Sequence, residues 1–89
     1  MNILVVDDEL VSRKKMSKLM GNIGNCVMVE NGADAIAEFI KAINTPQGVP
    51  FRIITLDIDM PDMSGTEVLH QIRAIENQHY VNKDKRAKI

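Results

Sequence analysis

The residues best placed to do chemistry are acidic. "ILVVDDE" (residues 3–9) carries an apolar run straight into Asp7 and Asp8. "RIITLDIDMPDMSG" (residues 52–65) does the same with Asp57, and Asp59 and Asp62 follow around a Met60-Pro61 pair. Carboxylates brought close together repel each other and are costly to keep ionised without a cation. A hard divalent ion resolves the repulsion. Mg²⁺ takes a few carboxylate oxygens, keeps several waters and completes its shell with phosphate oxygens. Neither stretch contains His or Cys, which argues against zinc. An acid site holding Mg²⁺ suits phosphoryl transfer. One carboxylate attacks phosphorus and becomes an acyl phosphate, and the metal neutralises developing charge.

The elements around these acids must bring them together. Residues 3–6 form a continuous apolar run rich in β-branched side chains, the pattern of a strand buried on both faces. Residues 10–20 are expected to form a helix. Met16, Leu19, Met20 and Ile23 lie on one face and Arg13, Lys14, Lys15 and Lys18 mainly on the other. Gly21 and Gly24 end it. Residues 26–29 read as a second strand. Asn31-Gly32 then turns the chain into a helix striped by Ala35, Ile36, Phe39 and Ile40. "TPQGVP" (45–50) is a loop by composition, and residues 53–56 are the third strand. After Gly65, the spacing of Val68, Leu69, Ile72 and Ile75 predicts a third amphipathic helix. "ENQHYVNKDKR" (76–86) reads as a polar connector, and "AKI" (87–89) as the start of a fourth strand. Strand and helix alternating without a repeat predict a parallel α/β sheet with right-handed crossovers. Ligands of such sheets gather at the carboxyl ends of the strands. If the first and third strands are neighbours, Asp7, Asp8 and Asp57 converge there.

The bulk properties narrow the function classes. Eighty-nine residues suffice for one small domain. Phe39, Phe51 and Tyr80 are the only aromatics, so the core must be aliphatic, with six Met as adaptable filler. A net charge of −1 without an obvious basic face argues against nucleic acid as the partner of this segment. Cys26 is alone, which excludes a disulfide framework and fits a reducing cytoplasm. No stretch is apolar and long enough to cross a membrane, and Met1-Asn2 leads directly into a strand with no signal peptide.

"ILVVDDE", then "ENG" at residues 30–32, then "LDIDMPDMSG" at 56–65 resemble, in order and spacing, the receiver domain of bacterial two-component response regulators. The likeness covers essentially the whole chain, residues 1–89, as the N-terminal portion of one such domain. It implies a flavodoxin-like, doubly wound parallel sheet, with order 2-1-3 present and strands four and five missing or incomplete. It implies that Asp57 is the phosphoacceptor and a sensor histidine kinase or phosphotransfer protein the donor. Mg²⁺ would be held by Asp8, by Asp57, by the backbone carbonyl of Asp59 and, through water, by Asp7. Met60, Pro61 and Gly65 match the loop that shapes the site. The side chain of Asp59, two residues after the phosphoacceptor, is expected to influence how long the phosphoryl group lasts.

Receivers also carry a Ser or Thr ending strand four and a Lys ending strand five. Neither is assignable here, and Lys83, Lys85 and Lys88 belong to the connector or its edge. Two readings follow: a fragment of a longer receiver, or a short chain that folds with help. In either, the third strand becomes an edge that invites pairing. A homodimer or other assembly burying that edge is expected, with exchange of elements as one route.

Other residues read more plainly. Asp62 and Glu9 are solvated turn or helix-start acids, His70 and His79 surface histidines, Cys26 a small core residue and the Met16–Met20 stripe core. The face from Arg13 to Lys18 is a solvated helix face, with kinase docking as a minority reading taken from the family. Two competing functions stand beside the receiver. Asp57-x-Asp59 resembles the nucleophile motif of haloacid-dehalogenase-type phosphatases, although Met60-Pro61 replaces the usual Gly-Thr type and a strand with its own acid pair comes earlier. The other is an association module without a working switch.

Overall fold

The computed structural model describes residues 2–44, 51–79 and 86–89. The sequence loop at 45–50 and most of the polar connector, including Lys83 and Lys85, lie outside the described residues. The elements run β1 (Asn2–Val6), α1 (Leu10–Met20), β2 (Asn25–Val29), α2 (Gly32–Ile43), β3 (Ile53–Leu56) and α3 (Gly65–Gln78). The strands form one parallel sheet of order β2-β1-β3. Ile3 pairs with Cys26 on one side and with Ile53 on the other. This is the doubly wound α/β arrangement expected from the sequence.

Connection chirality explains the layers. β2 and β3 flank β1 on opposite sides, so two crossovers of the same hand must leave α1 and α2 on opposite faces. Side-chain alternation along β1 serves both. Leu4 and Val6 join Ala35, Phe39, Ile54, Met60, Val68 and Ile72 in the main core under α2 and α3. Ile3 and Val5 are equally buried, on the face that carries α1.

The two faces are unequally covered. α2 buries Ala35 and Phe39 completely, and α3 buries Val68 and Ile72. α1 has no fully buried residue. Its expected core stripe is half-buried at Met16 and Met20, and Leu19 is 68 % exposed. Among the described residues no second helix packs beside α1, so one flank of its apolar face meets solvent. Cys26 is likewise half-buried, because β2 is an edge strand.

Where the sequence suggested the start of a fourth strand, the described residues form a single bridge to β3. Lys88 bridges Ile53 in parallel. Its N–H donates to the Arg52 carbonyl at 2.9 Å, and its carbonyl accepts from the Ile54 N–H at 2.8 Å. The outer edge of β3 is therefore covered at its start. What the sequence missed is the anchor. Glu76, read as the first residue of a connector, lies inside α3 with no exposed surface. One carboxylate oxygen accepts from the Ala87 N–H at 2.9 Å, and the other meets Arg73 Nη1 at 2.6 Å. A buried carboxylate persists only when paired and hydrogen-bonded, and Glu76 is both.

Candidate functional site

β1 and β3 are neighbours in register, with Val6 opposite Leu56. One step further along, Asp7 and Asp57 leave the sheet side by side. The Asp57 N–H donates to the Val6 carbonyl at 3.0 Å, and the Asp7 N–H to the Val29 carbonyl at 3.2 Å. Asp8 follows at once. One carboxylate oxygen from each of Asp7, Asp8 and Asp57 lies within 4.8 Å of the others. Asp7 and Asp57 are half-buried and Asp8 is exposed. Strand-end acids separated by some fifty positions in sequence thus meet at one rim, as expected for ligand sites in parallel sheets.

The loop after β3 is held from several directions. Asp57 Oδ1 accepts from the Asp59 N–H at 3.1 Å, which folds the chain back over the Asp57 carboxylate. Met60 is buried in the main core and pins the loop, whereas Pro61 and the side chains of Asp59 and Asp62 are exposed. Gly65 allows the closest approach. A Cβ there would lie 2.5 Å from the Asp57 carbonyl oxygen and 2.9 Å from Ile58 Cα, distances that real side chains do not tolerate. Its N–H donates to the Ile58 carbonyl at 3.0 Å. Ser64 then caps α3, its hydroxyl oxygen accepting from the Glu67 N–H at 3.2 Å.

On the β1 side, Asp7 Oδ1 accepts from the Glu9 N–H at 3.0 Å. Arg13 reaches back from α1, and Nη1 donates to the Asp7 carbonyl at 2.9 Å. The sequence placed Arg13 on a solvated face, yet its side chain is only 13 % exposed, unlike exposed Lys14, Lys15 and Lys18. Period-based reading assigns residues to faces; it does not see a long side chain that folds back along its own helix. Glu9 and Asp62 are exposed, as expected, and so are His70 and His79. An open cleft of about 400 Å³ borders the acids on the α1 side, lined in part by Asp7, Ser12, Thr55 and Asp57.

Residues 3–82 match the family model described as the response regulator receiver domain. A hybrid signal transduction histidine kinase L from Dictyostelium discoideum is 40 % identical over 77 residues, which is 85 % of this chain but 4 % of that protein. The receiver domain of the histidine kinase CKI1 from Arabidopsis thaliana, complexed with Mg²⁺ and BeF3⁻, superposes with a TM-score of 0.79 at 28 % identity. That match covers 91 % of this chain and 60 % of the other. The response regulator TrrA from Thermotoga maritima, in complex with Mg²⁺-BeF, gives 0.73 at 32 % identity, covering 85 % and 61 %. The chain thus spans about three fifths of those receiver structures and a small part of the kinase.

Proposed function

The chain belongs to the response regulator receiver family, a signalling module of two-component systems, and from that premise we propose that Asp57 is its phosphoacceptor. The donor is a phosphohistidine on a sensor kinase or phosphotransfer protein in the cytoplasm. Residues 1–89 act as the N-terminal portion of a single receiver domain, with no nucleic-acid role for this segment. The observation that carries the reading is the convergence of Asp7, Asp8 and Asp57 within 4.8 Å at the ends of adjacent strands.

The donor set fits Mg²⁺. It is all carboxylate, partly open to solvent, and holds neither His nor Cys. Asp8, Asp57 and the Asp59 carbonyl would hold the ion, with Asp7 acting through water. Bound there, Mg²⁺ would neutralise the clustered acids and the oxygens of the transferring phosphoryl group. The protein's own part is positioning. The Asp59 amide donates to Oδ1 of Asp57, which orients the carboxylate; Oδ1 keeps a second lone pair with which it would hold the ion, and Oδ2 is left to attack. A new O–P bond forms on Asp57 as the P–N bond of phosphohistidine breaks, and the imidazole leaves with the bonding electron pair. Met60, Pro61 and Gly65 keep the loop in place during transfer. The Asp59 carboxylate, exposed beside the acceptor, repels or orients the water that later hydrolyses the acyl phosphate. Asp59→Asn should therefore change the dephosphorylation rate severalfold, and an unchanged rate contradicts this role.

Among the described residues only Lys88 pairs with the outer edge of β3. Beyond it, Thr55 and Leu56 border an apolar groove with Ile58, Leu69 and Ile89. Self-association that buries this edge, by addition or exchange of elements, is the expected state of the 89-residue chain.

Intact mass after incubation with acetyl phosphate tests the function. The wild-type chain gains one phosphoryl group with Mg²⁺ and none with EDTA, and Asp57→Asn gains none. Failure to gain it in a folded chain favours an association module. Turnover of a phosphomonoester would favour the phosphatase.

A further inference from the structure

We infer that Arg13 is a positioning residue for the acid pair, acting through the peptide that joins Asp7 to Asp8; this rests on the reading that the acid cluster holds Mg²⁺. Asp7 is fixed at three points. Its N–H donates to the Val29 carbonyl at 3.2 Å, its Oδ1 accepts from the Glu9 N–H at 3.0 Å, and its carbonyl accepts from Arg13 Nη1 at 2.9 Å. The last of these bonds sets the plane of the peptide from which Asp8 departs. Asp8 is exposed and has no side-chain hydrogen-bond partner among the described residues. Its aim depends on the backbone that carries it.

The choice of a carbonyl as acceptor matters. A guanidinium bound directly to a carboxylate would occupy the oxygens a cation needs. Bound to the Asp7 carbonyl, it leaves them free and still sets a positive charge near three acids. The rigid fork of Arg suits this reach better than a mobile ammonium. Its other partner, Glu30 Oε2 at 4.0 Å, is 67 % exposed and adds little. The same positive charge opposes a bound Mg²⁺, so two effects compete. Solvent and salt weaken the repulsion at this open rim. Groups that orient a metal ligand commonly change affinity by about 10–100-fold, so positioning should win.

The test is Mg²⁺ titration of the purified chain by calorimetry, with backbone amide spectra recorded in parallel. Arg13→Met should weaken Mg²⁺ binding by about tenfold, the low end of that range, and Arg13→Lys should recover part of it. Lys14→Met makes the same charge change on the same helix, keeps the carbonyl bond, and should bind as wild type. Without Mg²⁺, Arg13→Met should shift the amide resonances of Asp8 and Glu9 and leave those of α3 in place. Binding by Arg13→Met as tight as wild type, or tighter, overturns the inference, as does equal weakening in Lys14→Met. If Arg13→Met does not fold, Arg13→Lys decides, and wild-type affinity in that variant is the contradicting result. A wild-type chain that binds no Mg²⁺ overturns the reading of the site and this inference with it, and is seen before any substitution is compared.

Discussion

Asp57 and Glu76 are both carboxylates facing backbone amides, and they differ in what surrounds them. Asp57 keeps one oxygen free at a solvated rim. Glu76 spends both oxygens on Ala87 and Arg73 and is wholly enclosed. The first suits chemistry and the second suits anchoring. Glu76→Ala should lower stability by about 2–4 kcal/mol, since it leaves the buried Ala87 amide unpaired and Arg73 without its partner. Glu76→Gln, which keeps an acceptor, should lose less. Urea unfolding of the two variants checks this, and an alanine variant as stable as wild type contradicts the anchor. Asp7, Asp8 and Asp57 were legible in the sequence because each follows an apolar run that has no local use for an acid. Arg13 and Glu76 were not. Each sits on a helix where a charged residue is ordinary, and each has its partner, Asp7 or Ala87, outside that helix, where side-chain periodicity does not reach.

At the scale of elements, α1 and α2 both read as amphipathic, yet only α2 is a core helix. α2 is wedged beside α3 over the sheet, whereas α1 lies without a neighbouring helix among the described residues. Phe39→Ala should cost about 3–5 kcal/mol, the usual loss for a large buried aromatic. Leu19→Ala, at a position 68 % exposed, should stay within about 0.5 kcal/mol. Thermal unfolding of the pair measures the difference, and similar losses would show that α1 packs more deeply than described. Helix positions were legible from the spacing of apolar residues, and strand order from the resemblance. The exposure of the α1 stripe was not, because periodicity identifies an apolar face without saying what covers it. The end of α3 was misjudged for a related reason. The polar run starting at Glu76 looks like a connector, but its first three residues complete the helix.

At the scale of the whole molecule, the strand order accounts for the acid rim: placing β3 next to β1 brings Asp57 to Asp7 and Asp8. Among the described residues only Lys88 pairs with the other side of β3. Sedimentation of the 89-residue chain across a range of concentrations should find a dimer or larger assembly, and a folded monomer throughout contradicts burial of the edge. Phosphoryl acceptance by this chain depends on one residue, Asp57. The most direct measurement is borohydride trapping after phosphorylation with acetyl phosphate and Mg²⁺, followed by peptide mass mapping. Reduction of an aspartyl phosphate leaves homoserine at the acceptor position. That product is expected at position 57 alone, and only when Mg²⁺ was present. Homoserine at position 7, 8 or 59, or none in a chain shown to be folded, would contradict it.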